Sequence, residues 1–113
     1  MLELDQPKAK RMTDPLFSVK DQIVLVSGGS RGIGKAIAEG FAERGAKVTI
    51  SGRDQATLKE TAETINHQAP VETIECDVAN SEAVDSMVQN VVSRHGKIDT
   101  LINVAGVNLS LIH

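Results

Sequence analysis

The stretch IVLVSGGSRGIGKAI, residues 23–37, indicates how the chain folds. Its first four residues are apolar and mostly β-branched, which is typical of a strand that is buried on both faces of a sheet. Glycines follow directly, and after them apolar residues recur at the four-residue spacing of one helix face. Glycines let a backbone approach an anion closely, and the N-terminus of a helix favours negative charge. The order strand, glycine-rich turn, helix therefore predicts a loop that binds phosphate.

The same alternation of strand and helix continues along the chain. We predict strands at residues 23–27, 47–51, 71–76 and 98–106. The apolar faces of the three intervening helices are predicted to carry Ile33, Ile37 and Phe41 in the first, Leu58, Ala62 and Ile65 in the second, and Val84, Met87, Val88, Val91 and Val92 in the third. Repeated alternation with right-handed crossovers implies a parallel sheet covered on both faces. The prediction is an α/β fold: a partial Rossmann-type doubly wound parallel sheet in the order β-α-β-α-β-α-β, truncated after the fourth strand.

Residues that commonly begin or end helices lie at the predicted helix boundaries. Asp54 can cap the second helix, and Asn80 or Ser81 can cap the third, because short polar side chains accept hydrogen bonds from free helix amides. Gly45 and Gly96 follow the first and third helices, where a left-handed residue commonly ends a helix. These residues support the predicted boundaries.

Length and composition limit the classes of protein to consider. At 113 residues the chain is long enough for one domain, which we divide into a mobile N-terminal arm, residues 1–19, and the N-terminal portion of a Rossmann domain, residues 20–113. The formal net charge of −3 and the isoelectric point near 5.5 argue against binding to nucleic acid or to an anionic membrane. The single cysteine, Cys76, excludes an intrachain disulfide, and we expect it to be a small buried hydrophobic residue in a cytoplasmic protein.

Two classes of phosphate ligand compete for the glycine-rich loop. Residues 29–35 read G-x-x-x-x-G-K, most of the P-loop that binds nucleoside triphosphates. A P-loop needs Ser or Thr at the next position to hold Mg²⁺, and this chain has Ala36, whose methyl group cannot coordinate a metal. Gly28, Gly32 and Gly34 instead give G-x-x-x-G-x-G, a spacing that can serve a dinucleotide. The dinucleotide interpretation is therefore favoured over the triphosphate one.

Motifs in this loop and beyond it together indicate a family. They are SGGSRGIG at residues 27–34, CDV at 76–78, GKIDTLIN at 96–103 and NVAG at 103–106. Together they resemble the short-chain dehydrogenase/reductase family, although Ser27 stands where the family usually has threonine and Val104 where it usually has a second asparagine. The resemblance implies a dinucleotide cofactor bound by Gly28, Ser30, Arg31, Gly32, Ile33, Gly34, Arg53, Asp77, Val78, Asn103, Ala105 and Gly106. In the family, the aspartate at the position of Asp77 contacts the adenine.

The end of the second predicted strand bears on the choice between NAD(H) and NADP(H). A carboxylate there would accept hydrogen bonds from a ribose diol and repel a 2′-phosphate. In register with the family, Gly52 takes that place, Arg53 follows it, and Arg31 lies in the glycine loop. Two guanidinium groups suit a phosphate, since arginine offers a charged planar fork, so we expect NADP(H) to be favoured over NAD(H). The alternatives are that both arginines are solvated surface charges, and that Asp54 reaches the ribose instead of capping its helix.

The catalytic residues of the family have no counterpart within these 113 residues. The resemblance implies hydride transfer between a nicotinamide cofactor and a small carbonyl or alcohol substrate, supported by a tyrosine, a lysine and a serine, and the chain contains no tyrosine. His67, His95 and His113 have no acid or nucleophile beside them in a recognisable arrangement, and no group of residues has metal-ligand spacing. We assign no catalytic and no metal-binding residue, and we expect the 113-residue chain by itself to be inactive.

Two functions from different classes remain open at this point. In the first, the chain is the NADP(H)-binding portion of an oxidoreductase that acts on CH–OH groups and is a homo-oligomer in its full-length form. In the second, the chain is a non-catalytic nucleotide-binding or interaction module, which the absence of tyrosine supports. A P-loop nucleoside triphosphatase is a third hypothesis, disfavoured by Ala36.

Overall fold

The computed structural model describes residues 18–29, 31–66 and 70–104. Within them seven elements follow one another: β1 (Ile23–Ser27), α1 (Gly32–Glu43), β2 (Lys47–Gly52), α2 (Gln55–Thr64), β3 (Glu72–Glu75), α3 (Ser81–His95) and β4 (Thr100–Asn103). The predicted order β-α-β-α-β-α-β is confirmed. β3 and β4 are shorter than predicted, because pairing with the neighbouring strands covers only these residues. Most of the predicted arm and residues 105 and 106 of the predicted fourth strand lie outside the described residues.

The four strands form one parallel sheet in the order β3-β2-β1-β4. β1 lies inside the sheet, paired with β2 on one side and β4 on the other, and all five of its residues are buried. Because the strands are parallel, their carboxyl ends meet at one edge of the sheet, where Ser27 is level with Ser51 and with Asn103. β4 forms one border of the sheet, and Leu101 is 55 % exposed there.

Alternate residues of β1 face opposite sides of the sheet. Val24 and Val26 pack into an apolar cluster with side chains of α1 and α2. Ile23 and Leu25 pack into a second cluster with Met87 of α3. Helices therefore cover both faces, as the doubly wound prediction requires. Among the described helices, none is long and apolar enough to cross a membrane.

The buried face of α1 differs from the predicted one. Ile33 is 65 % exposed, so its predicted place in the buried stripe is wrong, and Ile37 and Phe41 are only partly buried. The buried positions of this helix are Gly34, Ala38 and Ala42. Small residues let α1 lie close to the sheet, and the larger side chains are thereby displaced to the border of the contact.

The other two helices follow their predicted faces with one exception. In α2 and at its C-cap, the three predicted residues are buried: Leu58, Ala62 and Ile65. In α3, Met87 and Val91 are buried, while Val84 and Val88 lie at the border of the same cluster. Val92 is 40 % exposed, so its predicted place on the buried face of α3 is wrong.

The predicted helix boundaries are confirmed by their caps. Asp54 caps α2 by accepting hydrogen bonds from the backbone amides of Ala56 and Thr57. Asn80, rather than Ser81, caps α3. Gly45 follows the C-cap of α1 with φ 88°, and Gly96 ends α3 with φ 87°, both in the left-handed region that favours glycine.

Charged side chains link the end of α3 to β3, a contact that was not predicted from the sequence. His95 Nε2 lies 2.9 Å from Glu72 Oε1, and Arg94 Nη1 lies 3.3 Å from the same oxygen. Burial of Glu72 raises the pKa of its carboxyl, but the hydrogen bond and charge of His95, with Arg94, outweigh burial and leave that pKa below its usual value. His95 thus has a structural partner.

The border strand β4 is anchored to β1 by Asp99. The backbone amide of Ile23 donates to Asp99 Oδ2 at 2.7 Å, and the amide of Asp99 donates to the carbonyl oxygen of Ile23 at 2.8 Å. Lys97 Nζ lies 3.2 Å from Asp99 Oδ1. The hydrogen bond from the Ile23 amide, followed by the contact with Lys97, lowers the pKa of the Asp99 carboxyl. The charged form of Asp99 is therefore the one that stabilises the fold.

We predict that Asp99→Ala lowers the urea midpoint of unfolding more than Asp99→Asn, because the asparagine oxygen can still accept the bond from Ile23. A lowered pKa in the folded state contributes stability above the unfolded value of about 3.9, and that contribution is lost as the pH falls through the folded pKa. The difference in midpoint between the native chain and Asp99→Asn should therefore shrink between neutral pH and acid. Urea titrations followed by circular dichroism measure both midpoints at each pH. A difference between the native and Asp99→Asn midpoints that stays constant with pH would contradict the proposed role of the Asp99 charge.

Candidate functional site

A cavity of about 590 Å³ opens at the carboxyl ends of β1, β2 and β3. It is lined by Gly28, Arg31, Ser51, Gly52, Arg53, Asp54, Thr57, Cys76 and Val78. In doubly wound sheets, ligands bind in the crevice outside the carboxyl ends of the strands. A second cavity, of about 340 Å³, lies beside α1 and is lined mainly by apolar groups, among them Val19, Ile37 and Phe41. The first cavity has the charged groups that a nucleotide needs, and we take it as the candidate site.

The glycine loop forms one wall of this cavity and is packed tightly against its surroundings. The amides of Gly28 and Gly29 both donate to the carbonyl oxygen of Ser51, at 2.8 and 3.2 Å, which fastens the loop to β2. A Cβ atom added at Gly34 would lie 2.9 Å from the carbonyl carbon of Gly28 and closer still to its oxygen. The first turn of α1 can therefore approach the loop only because residue 34 is glycine.

The N-terminus of α1 differs from those of the other two helices. Arg31 is its N-cap residue and makes no capping hydrogen bond through its side chain. α2 and α3, by contrast, have their first amides bonded by Asp54 and Asn80. The first amides of a helix lack partners within the helix, and together with the helix dipole they attract an anion. Among the described residues, α1 thus begins with a site that fits a ligand anion.

The charged side chains at the rim are two arginines and one aspartate. Arg31 and Arg53 are both exposed and both line the cavity. Asp54 Oδ2 accepts a hydrogen bond from Thr57 Oγ1 at 2.8 Å, and Oδ1 accepts one from the Ala56 amide at 3.0 Å. These bonds, that of the Thr57 hydroxyl first, together with the positive charge of Arg31, lower the pKa of the Asp54 carboxyl. The carboxylate is therefore ionised and occupied as the cap of α2.

The turn after β3 brings further predicted residues to the same edge. Val78 is 42 % exposed and lines the cavity. Asp77 lies between two lining residues, but its Oδ1 accepts a hydrogen bond from the Ala79 amide at 3.0 Å, and it does not itself line the cavity. Asn103, at the end of β4, lines a separate cavity of about 230 Å³ together with Val78. The two cavities thus share Val78.

The structure brings only part of the predicted binding set together. Gly28, Arg31, Arg53 and Val78 line the main cavity. Gly32, Ile33 and Gly34 form the first turn of α1 beside the loop, whereas Ser30, Ala105 and Gly106 lie outside the described residues. No group of three or more histidine, cysteine, aspartate or glutamate side chains suited to a metal ion occurs within the described ranges.

Two lining residues, Ser51 and Thr57, are not among the predicted site residues, and Cys76 is predicted only as a buried residue of the core. A detectable signal for Ser51 was present, because it is the last residue of a predicted strand whose neighbours end at the same edge. The place of Thr57 at the cavity can be predicted only once the contact with Asp54 is known, since that contact holds the Thr57 hydroxyl beside the Asp54 carboxylate at the rim.

The chain is similar to many proteins of one family. Residues 22–112 match the family model described as short chain dehydrogenase. An uncharacterised oxidoreductase of Staphylococcus saprophyticus is 42 % identical over an alignment of 97 residues that covers 84 % of this chain and 42 % of the relative. The chain thus spans about two fifths of the length of that curated relative.

Solved structures agree with this similarity. The Pseudomonas aeruginosa protein RhlG, solved as an active-site complex with NADP, is 35 % identical with a TM-score of 0.72, over 79 % of this chain and 36 % of that one. L-Sorbose reductase from Gluconobacter frateurii, solved with NADPH and L-sorbose, is 36 % identical with a TM-score of 0.70, over 74 % of this chain and 33 % of that one. The match along residues 22–112 agrees with the sheet order, with the glycine loop packed on β2 and with the uncapped start of α1. The chain therefore belongs to the short-chain dehydrogenase family.

Proposed function

We propose that this chain binds NADP(H) and forms the cofactor-binding part of an oxidoreductase. The observation that carries the proposal is the uncapped N-terminus of α1, which faces the glycine loop beside a cavity with Arg31 and Arg53 at its rim. In the proposal, the pyrophosphate binds at the first turn of α1, and the arginines bind the 2′-phosphate on the adenosine ribose. The remaining predicted contacts, among them Asp77 and Asn103, belong to the same proposal.

The preference for NADP(H) rests on the charges around the rim. Two guanidinium groups can donate to a phosphate, and arginine matches its geometry with a planar fork. The one carboxylate at the rim, that of Asp54, already accepts bonds from Ala56 and Thr57 and is less suited to accept bonds from a ribose diol. Two structural neighbours were solved with NADP or NADPH, which supports the same preference.

In the whole protein we propose hydride transfer between the cofactor and a small carbonyl or alcohol substrate. The cofactor supplies the hydride or accepts it when it is bound. The residues described here bind and orient the adenosine and pyrophosphate part, and we assign none of them to the chemical step. We further propose that the full-length form is a homo-oligomer and cytoplasmic.

The triphosphatase hypothesis finds no support at the position that would hold its metal. Ala36 lines the apolar cavity beside α1, together with Ile37 and Phe41. It is not among the residues around the cavity at the glycine loop. A P-loop needs a hydroxyl at this position to bind Mg²⁺ beside the phosphates, and the chain offers a methyl group.

We predict that Arg31→Ala and Arg53→Ala each weaken NADPH binding about 10-fold to 100-fold, the range expected for a lost charge-assisted hydrogen bond. Affinity for NADH should change much less, because NADH has no 2′-phosphate. Isothermal titration of the full chain with each cofactor measures both affinities. Arg44→Ala is the matched control, since this arginine at the far end of α1 bonds to the Gly40 carbonyl oxygen and lies outside the cavity.

The same titration separates the competing functions. Equal binding of NADPH and NADH by the native chain, with no effect of either arginine variant, would contradict the proposed cofactor preference. Tighter binding of ATP with Mg²⁺ than of NADPH would favour the triphosphatase hypothesis.

We predict that Asp54→Asn strengthens NADPH binding about threefold, because it removes one negative charge from the rim of the cavity in which we place the 2′-phosphate. Asparagine caps helices as well as aspartate does, so the urea midpoint of unfolding should stay close to that of the native chain. NADH affinity should be almost unchanged. A large loss of NADH affinity in this variant would instead mean that Asp54 accepts hydrogen bonds from the ribose diol.

A further inference from the structure

The apolar cavity beside α1 has no part in the proposed binding of the cofactor. It measures about 340 Å³, and its lining residues are Val19, Ala36, Ile37, Gly40, Phe41 and Arg44. None of them lines the cavity at the glycine loop. Within α1 the lining residues recur every three or four positions, so they form one stripe along the helix. This stripe is separate from the small residues through which α1 packs on the sheet, Gly34, Ala38 and Ala42.

Small residues make this stripe a groove. Ala36 and Gly40 lie one helical turn apart and leave space beside the larger side chains of Ile37 and Phe41. A Cβ atom added at Gly40 would meet only Arg44 Nη1, at 3.7 Å, so the space over this turn of the helix is open. Ile37 and Phe41 pack against the core cluster but are only partly buried. A further apolar side chain in the groove would complete their burial, which is favourable.

The chain that precedes β1 reaches this groove at Val19. Val19 lines the cavity and packs against the core cluster. Its carbonyl oxygen accepts a hydrogen bond from the Gln22 amide at 3.0 Å. The Asp21 amide donates to the Gly45 carbonyl oxygen, also at 3.0 Å. These two bonds hold the turn before β1 against the end of α1, so the chain enters the fold beside the groove.

We propose that the groove beside α1 is filled by Leu16 and Phe17 of the same chain. Both residues lie outside the described part of the chain, and also outside residues 22–112, which the family model matches. Consecutive Cα atoms are about 3.8 Å apart, so the Cα atom of Phe17 is no more than about 7.6 Å from that of Val19. The side chain of Phe17 can therefore reach a cavity that Val19 itself lines.

The residue types on both sides of the proposed contact support this occupant. Leu16 and Phe17 are the large apolar residues nearest to Val19 on its N-terminal side, and among residues 5–15 the only large apolar one is Met12. The one charged residue that lines the groove is Arg44, whose Nη1 bonds to the Gly40 carbonyl oxygen at 3.0 Å. An aromatic ring beside a guanidinium group gains a favourable cation–π contact, which favours Phe17 as the residue in the groove.

The small number of aromatic residues makes a direct test possible. Phe17 and Phe41 are the only phenylalanines in the chain, which has neither tyrosine nor tryptophan. In nuclear Overhauser spectra of the full chain we expect cross-peaks from the Phe17 ring protons to the Ile37 methyl groups and to the Phe41 ring, because the three side chains share one groove. These cross-peaks should persist on dilution, since the contact lies within one chain.

Three variants measure what the contact contributes to stability. We expect Phe17→Ala to lower the urea midpoint of unfolding by about 0.5–1 M, the shift for loss of one half-buried aromatic side chain. It should also increase the fluorescence of the dye ANS, which binds exposed apolar surface. Phe17→Leu keeps an apolar occupant and should restore most of the native midpoint. Leu4→Ala is the matched control, because Leu4 is far from Val19 along the chain, and it should leave the midpoint unchanged.

The outcomes separate the proposed occupant from the others. A Phe17 ring without cross-peaks to α1 would overturn the proposal, whatever the stability of the variants. Cross-peaks that occur only between labelled and unlabelled chains in a mixed sample would mean that a second copy fills the groove, which also overturns it. If Phe17→Ala does not fold, the cross-peaks of the native chain and the midpoint of Phe17→Leu still decide the question.

Discussion

The contact between the first turn of α1 and the glycine loop is the constraint on which the site depends. Gly34 lies so close to Gly28 that a side chain at residue 34 would collide with the backbone of the loop. The loop is in turn fastened to β2 through the Ser51 carbonyl oxygen. This packing places the first amides of α1, which the Arg31 side chain does not cap, at the carboxyl edge of the sheet, where we propose that a ligand phosphate binds.

The capping of the helices decides which helix start can serve a ligand. Asp54 and Asn80 supply oxygen atoms to the first amides of α2 and α3, so those amides are already bonded. Arg31 supplies no such oxygen to α1. In the cofactor preference that we propose, the capping bonds also make the Asp54 carboxylate less suited to the ribose diol, because both of its oxygens already accept bonds within α2. Helix capping therefore underlies both the phosphate site and the cofactor preference, each of which we propose.

The sequence predicts the elements and their order well, because strand and helix periodicities are local properties of the chain. It predicts the caps Asp54 and Asn80 for the same reason. It fails for Ile33, since four-residue spacing identifies a row of apolar residues but not which neighbouring row packs on the sheet. In α1 the small residues Ala38 and Ala42 form that contact, and their suitability becomes visible only when the distance between helix and sheet is known.

For the candidate site, too, local sequence patterns predict some residues and miss others. Arg31 and Arg53 are predictable from their places beside the loop and after β2, and the structure puts both at one cavity. The burial of Ser51 and its lack of a hydrogen-bond partner depend on neighbours far apart in the chain, so no local pattern reveals them. The resemblance to a family predicts the class of cofactor, whereas the hydroxyl without a partner follows from the packing of this chain alone.

The most direct test of this account is a titration of the ¹⁵N-labelled chain with NADPH, followed by nuclear magnetic resonance. The account predicts that the amide resonances of Gly32, Ile33 and Gly34 shift most, because these amides start an uncapped helix. The amides of Glu82 and Ala83, already bonded to Asn80 at 2.9 and 3.1 Å, should move little. Saturating NADPH that leaves the first turn of α1 unshifted, or that shifts the start of α3 equally, would contradict the claim that this helix start binds the cofactor phosphates.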